Sequence, residues 1–370
     1  MEPYPVDPTR ALPTSAYRAE SHDVDLERVW RTSWIWVASA DEVGEPGDHV
    51  AATVGGQPVI VLRRQDGELA AMSNLSAHRG TLLVEGRGNA KRFQCPYHAW
   101  TYSDDGRLLA VPHTDRADVD RDRHCLPTYR VEEWHGLVFV SLDPDIEPLA
   151  ELLGHLDDLV ADARPDELHD WTSRRDVETW HANWKLVLSN AMESYHLFQV
   201  HEDTLEPVTP TAGAYYLVGN AHGAATGGVT KGAADYVLFC IPPSFVGVLT
   251  GDSLLWQAVR PVAFDRSEIS SGGAYEYPDP DKGRGLGKWL GQAAAAGAEA
   301  FVPDFLPEDK AICERGQRAA TGDFSPGPIV PMEHIISDFH HFLAHKLHGA
   351  ALPPVRHAGE VGVAKPTDPI

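Results

Sequence analysis

Two kinds of hydrophobic spacing divide this chain. Between about residues 41 and 147, short apolar runs alternate with turn residues, which is the pattern of β-strands. Two pairs of runs are joined by Asp66-Gly67 and by Asp105-Gly106, dipeptides that favour tight hairpin turns. The run HGLVFVSL near the end of this segment predicts a buried strand. We therefore expect a small all-β domain over 41–147.

Helical spacing appears on both sides of this segment. In residues 1–40 it predicts a helix with Asp23 as the N-cap, which we expect to pack on a domain formed by residues 148–348. Within 148–348, helical segments such as NWKLVLSNAMESYHLF and EHIISDFHHFLAHKL are mixed with strands such as DYVLFCI and SLLWQAVRP. The fold class is α+β, with an antiparallel sheet flanked by helices. The Pro-, Gly- and Ala-rich tail, 349–370, is expected to be flexible.

Composition narrows the possible partners. Hydrophobic residues make up 43% of the chain, which is ordinary for a globular protein, and the formal net charge is −23. Such an acidic chain lacks the basic surface that nucleic acids and anionic lipids require. Apolar runs stay below the roughly 20 residues of a membrane span, and the first residues lack the order of a signal peptide. We therefore expect a cytoplasmic protein that binds neither nucleic acid nor membrane.

Two short loops in the predicted β domain combine residue types that bind metals. Ser76 and His78 form a Ser-x-His pair, and Cys95 and His98 form a Cys-x-x-His pair after 16 intervening residues. Two-iron clusters of the Rieske type take two cysteines on one iron and two histidines on the other. The spacing predicts a site of this kind in which a serine occupies one cysteine position.

A second polar group, Asn190, Glu193, His196 and His201, lies in NWKLVLSNAMESYHLFQVH. Glu193 and His196 are expected to project from one face of a helix. His201 follows five residues after His196, so the helix must end or bulge between them if both histidines are to reach one metal. Two imidazoles and a carboxylate with open positions form the site of non-haem Fe(II) oxygenases. The alternative is that both histidines make structural hydrogen bonds at a helix end.

The carboxylate of such a site must come from elsewhere in the chain. We favour Asp309, in LPEDKAICERGQ, because it lies near the start of a predicted helix, where an acid is favoured. Spacing alone leaves Glu308, Asp304 and Glu314 as alternatives.

With these motifs in this order, the chain resembles, over about residues 23–345, the α (catalytic) subunit of Rieske-type non-haem iron oxygenases, the aromatic-ring hydroxylases and demethylases. HRGTLL, CPYHAWTY and GLVFVSLDP are similar to the cluster domain of the family, and EDKAICERGQ is similar to its third-ligand segment. The resemblance implies an oxygenase that uses a mononuclear Fe(II) and O2 to hydroxylate or oxidatively dealkylate a small organic substrate. Electrons would pass through a Rieske [2Fe-2S] cluster.

The resemblance also implies roles for individual residues. It implies that three residues bind the mononuclear iron: His196, His201 and Asp309. It implies a homotrimer in which Glu193 joins His196 to His98 of a neighbouring subunit, while Asn190 supports the iron or the substrate. Glutamate at the bridging position resembles the branch that acts on quaternary ammonium compounds. Because we find no flavin or nicotinamide fingerprint in the sequence, a separate reductase or ferredoxin must supply the electrons.

Ser76 departs from the family pattern. A hydroxyl is a harder ligand than a thiolate and ionises far less readily. The cluster could assemble with a serine alkoxide, His78, Cys95 and His98 could hold a single zinc or iron ion, or the loops could be empty. Without a cluster, the mononuclear iron would run a reaction that needs no external reductase, or the chain would be a non-catalytic binding or regulatory subunit.

Overall fold

The structure is a computed structural model that describes residues 2–115, 118–161, 172–231, 235–250, 253–275, 305–361 and 365. The chain forms two compact units, one of residues Trp30–Leu149 and one that combines Met1–Val29 with Ala150–Ile370. The first unit begins before residue 40 because Ile35–Ser39 forms an edge strand that pairs with Leu137–Ser141 of the β domain.

The first unit is a β domain. Its described strands are β1 Ile35–Ser39, β2 Asp48–Val54, β3 Gln57–Arg63, β4 Leu69–Ser73, β5 Arg87–Asn89, β6 Arg92–Gln94, β7 Thr101–Ser103, β8 Leu108–Ala110, β9 Thr128–Trp134 and β10 Leu137–Ser141. Within the described residues, one sheet has the order β1-β10-β9-β4-β3-β2-β5, and a smaller sheet has the order β6-β7-β8. Strand β10 is buried throughout, which confirms the sequence prediction.

The two predicted hairpins are also confirmed. Strands β3 and β4 pair across Asp66-Gly67, and β7 and β8 pair across Asp105-Gly106. Gly67 and Gly106 have φ angles of 89° and 84°, a region that favours glycine. Cys95 directly follows β6 and packs in the core of this domain together with Trp100. The loop of Cys95 and His98 thus connects β6 to β7, and the loop of Ser76 and His78 follows β4.

The N-terminal segment differs from its prediction in detail. Its helix α1 spans Ala19–Asp25 and continues as a π-helical turn over Leu26–Trp30, so Asp23 lies inside the helix and does not cap it. A 3₁₀ turn, Thr14–Tyr17, comes before α1 and fixes its start.

The second unit is an α+β domain, which confirms the expected fold class. Its described strands are β11 Thr172–Trp180, β12 Ala214–Asn220, β13 Gly223–Gly228, β14 Tyr236–Ile241, β15 Phe245–Leu249, β16 Ser253–Ala263, β17 Arg266–Tyr275 and β18 Arg356–His357. Among the described residues, they form one antiparallel sheet of order β11-β17-β16-β15-β14-β13-β12-β18. The helices that follow α1 are α2 Leu149–Leu153, α3 Asp157–Ala161, α4 Trp184–Ala191, α5 Leu197–Val200, α6 Phe305–Ala319, α7 His334–His348 and α8 Ala358–Val361.

Part of the tail pairs with the sheet. Strand β18 adds to the sheet edge beside β12, and the Arg356 guanidinium forms an ion pair with the buried carboxylate of Asp338 on α7. The flexibility of the tail from residue 349 stays a prediction.

Candidate active site

Helices α4, α5 and α6 carry the predicted iron site. Asn183 caps α4, since its side chain accepts a hydrogen bond from the Lys185 N–H at 3.0 Å. The backbone N–H groups of His181 and Asn183 donate to Glu314 and Gln317 of α6, each at 3.0 Å. These bonds hold the start of α4 against the middle of α6.

The predicted helix ends earlier than the sequence suggested. Helix α4 stops at Ala191, and Glu193 and His196 lie in the turn before α5, so they do not share a helix face. Glu193 Oε2 accepts hydrogen bonds from the N–H groups of Tyr195 and His196, the second at 3.2 Å. A carboxylate that binds free N–H groups at a helix start is stabilising, and this turn brings His196 back towards His201, which directly follows α5.

The side chains of His196, His201 and Asp309 meet at one point. Among the described residues, they are the one set of His, Cys and carboxylate ligand atoms that brings three within 4.8 Å of one another. Asp309 Oδ1 lies 3.4 Å from His196 Nε2 and 3.0 Å from His201 Nε2. His201 is 1% exposed and Asp309 is 7% exposed. Two imidazoles and one carboxylate are a donor set that non-haem Fe(II) uses, so the residues fit the expected metal.

The other acids considered as the third iron ligand do not point at the Nε2 atoms of the two histidines, or lie outside the described residues. Glu308 Oε2 contacts His201 Nδ1 at 2.7 Å, on the opposite edge of the ring from Asp309. Glu314 accepts the His181 N–H at 3.0 Å, at the start of α4. Asp304 lies outside the described residues. Of the described candidate acids, Asp309 is therefore the one that faces the Nε2 atoms of both histidines. The reason given for choosing it from the sequence was wrong, because the acid in the first turn of α6 is Glu308.

Two further side chains form hydrogen bonds with the three candidate iron ligands. Glu193 Oε1 contacts His196 Nδ1 at 2.6 Å. Asn190, near the end of α4, donates from Nδ2 to Asp309 Oδ1 at 2.6 Å. The first contact leaves His196 Nε2 pointing at Asp309, and the second orients the Asp309 carboxylate.

The electrostatics of the group favour positive charge. Burial lowers the pKa of His196, but hydrogen bonds to Asp309 and Glu193 outweigh it and raise the pKa to about 9. Burial raises the pKa of Asp309, but hydrogen bonds from His196 and His201 outweigh it and hold the pKa below its usual value. The raised pKa means that the imidazoles hold protons close to the Asp309 carboxylate. A divalent cation that binds at this point would displace those protons.

The four residues of the β-domain loops form two pairs. Ser76 and Cys95 are each 2% exposed and are joined by a hydrogen bond, whereas His78 and His98 are exposed, with ring centroids 4.7 Å apart. Burial raises the pKa of the Cys95 thiol, but hydrogen bonds from Ser76 and from the N–H groups of residues 97 and 98 outweigh it and lower the pKa. The buried pair and the imidazole pair correspond in position to the two ligand pairs of a Rieske cluster.

The donor chemistry of these loops, however, does not match a Rieske cluster. Ser76 supplies a hydroxyl where a second thiolate is needed, and its Oγ lies 3.3 Å from the Tyr102 hydroxyl. Among the described residues, His196, His201 and Asp309 form a group of three converging ligand atoms, and no such group is found at His78, Cys95 and His98. We therefore derive no reaction step through these loops.

Sequence comparison identifies both units. Residues 33–130 match the model of the Rieske [2Fe-2S] domain, and residues 168–237 match the model of the ring hydroxylating alpha subunit catalytic domain. The chain is 34% identical to the anthranilate 1,2-dioxygenase large subunit of Acinetobacter baylyi, over 51% of this chain and 42% of the relative. It is 35% identical to the carnitine monooxygenase oxygenase subunit of Escherichia coli, over 48% of each.

Solved structures share the fold over almost the whole chain. The quaternary ammonium Rieske monooxygenase CntA, bound to L-carnitine, superposes with a TM-score of 0.81 and 24% identity, covering 94% of this chain and all of that one. Naphthalene 1,2-dioxygenase from Rhodococcus sp. superposes with a TM-score of 0.75 and 20% identity, covering 92% of this chain and 95% of that one. Identities this low show the fold alone.

The chain thus carries a match to the Rieske [2Fe-2S] domain followed by a match to the catalytic domain of ring hydroxylating alpha subunits, and the curated relatives named above are oxygenase subunits. The matches span less than half the length of the curated relatives. In the described residues, the helices are too short or too polar to cross a membrane.

Two features of the site were missed in the sequence. One is the contact of Glu308 with the outer nitrogen of His201, and the other is the contact of Tyr102 with Ser76. The contact of Glu308 with His201 could have been suspected from the sequence, because Glu308 is directly beside Asp309. Nothing local to Tyr102 indicated the second, because 26 residues separate it from Ser76.

Proposed function

We propose that this chain is the catalytic subunit of an oxygenase that binds one Fe(II) at His196, His201 and Asp309. The reaction would use O2 to hydroxylate or oxidatively dealkylate a small organic substrate. The observation that carries the proposal is the convergence of these three ligand atoms within 4.8 Å, in a chain whose domains match the family in order. Three protein ligands leave coordination positions open for O2.

A ferrous ion bound there would supply the activation of O2. The protein residues prepare the site for it. Glu193 accepts from Nδ1 of His196, which leaves Nε2 free to bind the metal. Asn190 donates to Asp309 Oδ1, which limits rotation of the carboxylate and directs one oxygen towards the two imidazoles. Burial of His201 and Asp309 excludes bulk water from this side of the site.

The partners follow from the same assignment. We infer that a separate reductase or ferredoxin supplies electrons, and that the chain assembles as a homotrimer. In such a trimer, Glu193 would link His196 to His98 of a neighbouring subunit. A solved quaternary ammonium Rieske monooxygenase of the same fold gave insights into inter-subunit electron transfer. That finding on a similar protein supports an assembly in which the two metal sites of different subunits are close.

The relatives suggest a substrate class. Their names refer to anthranilate, toluate, carnitine and glycine betaine, all of which carry a carboxylate. Glutamate at position 193 resembles the branch that acts on quaternary ammonium compounds. We therefore propose a small carboxylate as substrate and place quaternary ammonium carboxylates first.

A turnover experiment tests the oxygenase. Protein purified anaerobically and loaded with Fe(II) is exposed to ¹⁸O2 with carnitine, glycine betaine, anthranilate or toluate, while NADH and a reductase of a Rieske-type oxygenase supply the two electrons that each turnover requires. We expect an ¹⁸O-labelled product from at least one of them, detected by mass spectrometry, and none from His201→Ala. Absence of labelled product from every carboxylate, in protein with one iron per chain, would contradict the proposal.

Ser76 favours a second candidate, a reaction at the same iron that needs no external reductase. It shares the metal site and differs in its electron requirement. If the Fe(II) protein turns over many times without reductant, this second candidate is correct. If product forms only after a reductase and NADH are added, the first is correct.

A further inference from the structure

The second carboxylate of α6 lies against the most buried histidine of the site. Glu308 Oε2 is 2.7 Å from His201 Nδ1 and 2.7 Å from the hydroxyl of Thr204. Its side chain is 33% exposed, while that of His201 is 1% exposed. Glu308 therefore closes the outer edge of a ring whose inner edge faces Asp309.

The geometry separates this carboxylate from the ligand set. The two nitrogens of an imidazole point in different directions, so one carboxylate cannot bind at Nδ1 and share a metal with Nε2. Because Glu308 faces Nδ1, it is excluded as a ligand beside His201 Nε2. The contact instead sets which nitrogen of His201 carries the proton.

Each histidine of the site thus has a carboxylate at its Nδ1 atom, Glu193 for His196 and Glu308 for His201. The two carboxylates are held in place by different groups. Glu193 is also bound by two backbone N–H groups of its own turn. Glu308 is held by the hydroxyl of Thr204, three residues after His201. The side chain of Thr204 therefore connects the turn that carries His201 to the carboxylate that orients it.

We propose that Glu308 is a positioning residue, which keeps the proton of His201 on Nδ1 and strengthens Nε2 as a metal donor, and that Thr204 holds Glu308 in place. This rests on the metal-binding part of the proposed function and not on the reaction. Carboxylates that accept from a metal-bound histidine typically change metal affinity by about 10–100-fold.

Metal titration of the apoprotein tests this directly. Glu308→Gln keeps the size of the side chain and removes its charge, and Thr204→Val removes the hydroxyl that holds it. Glu314→Gln is the matched control, because Glu314 lies on the same helix and bonds to the His181 N–H. We expect Co(II) affinity to fall about 10–100-fold in Glu308→Gln, to fall less in Thr204→Val, and to stay within about twofold of the parent in Glu314→Gln.

A spectroscopic measurement separates positioning from general structural support. In ¹⁵N-histidine-labelled, Zn(II)-loaded protein, the Nδ1–H signal of His201 should shift in Glu308→Gln, while the signals of His196 stay in place. Unchanged Co(II) affinity and an unchanged His201 signal in a folded Glu308→Gln protein would overturn the inference alone. If the parent binds no Co(II), both the proposed metal site and this inference are wrong.

Discussion

Glu308 and Asp309 are adjacent in the chain and contact opposite edges of one imidazole ring. Glu308 Oε2 lies 2.7 Å from His201 Nδ1, and Asp309 Oδ1 lies 3.0 Å from His201 Nε2. Successive side chains of an α-helix point about 100° apart, so His201 fits between the two carboxylates. One helix turn therefore supplies both a candidate ligand and the group that orients another ligand.

Removal of the Asp309 charge should abolish iron binding. We expect Asp309→Asn to lose most of its iron and at least about 100-fold of its activity, because an amide is a much weaker donor than a carboxylate beside two imidazoles. Iron content by plasma emission spectrometry and the ¹⁸O assay measure both effects. The exposed Asp323, which pairs with Arg18, provides the control Asp323→Asn, which should retain iron.

Asn190 should matter for activity more than for metal content. Its bond to Asp309 Oδ1 is a charge-assisted hydrogen bond, and such bonds contribute about 1.5–3 kcal/mol. We expect Asn190→Ala to keep its iron and to lose about tenfold in product formation, because the freed carboxylate samples other orientations. Iron loss equal to that of Asp309→Asn would instead make Asn190 part of the binding set.

Ser76→Cys should restore the Rieske donor set. The position is buried and hydrogen-bonded to Cys95, so a thiol there, with His78 and His98, completes two thiolates and two imidazoles. We expect the variant to gain about two acid-labile sulfides per chain and visible absorbance. Ser76→Ala serves as the control and should gain neither. A parent protein that already carries labile sulfide would show that the serine supports a cluster.

Removal of one partner of the buried ion pair that anchors α4 should destabilise the protein. Lys185 and Asp25 are fully buried and paired, and Asp25 also accepts from the Tyr4 hydroxyl at 2.9 Å and from Trp184 Nε1 at 3.0 Å. Lys185→Met leaves the Asp25 charge buried without its cation, which should cost about 3–5 kcal/mol of unfolding free energy. Denaturant unfolding measures this cost.

A double variant separates the ion pair from simple packing. Lys185→Met combined with Asp25→Asn removes both charges, and should be more stable than Lys185→Met alone. Equal instability of the single and the double variant would show that packing of the Lys185 chain, and not the unpaired charge, accounts for the loss.

His340 on α7 predicts a loss of stability in acid. It is 2% exposed, and burial lowers its pKa to about 4. Because the folded protein binds this proton less readily than the unfolded chain, stability is present above about pH 6.5 and falls as the pH drops towards 4. The loss is on the order of 3 kcal/mol from this group.

Calorimetry between pH 4 and 7.5 measures this dependence. We expect His340→Leu to flatten the fall in melting temperature between pH 6.5 and 4, whereas the same change at the exposed His181 should leave it as in the parent. An equally steep fall in His340→Leu would assign the acid sensitivity to other groups.

Local sequence determined much of this protein. The alternation around Asp66-Gly67 and Asp105-Gly106 predicted the hairpins, because a turn of this type depends on residues that are neighbours in the chain. Helical spacing predicted α6 and α7 in the same way. The residues of both candidate sites were also visible, since His, Cys and acidic side chains are few and their spacing is restricted.

Tertiary structure decided how those residues combine. Glu308 and Asp309 cannot be distinguished by spacing, and only the packing of α6 against α4 shows which of them faces both Nε2 atoms. The end of α4 at Ala191 depends on Glu193 accepting the N–H groups of the next turn. The domain boundary near Trp30 depends on the pairing of β1 with a strand about 100 residues later in the chain. The first and the third of these outcomes rest on contacts between distant segments, which form only when the chain is folded, so no local pattern could encode them.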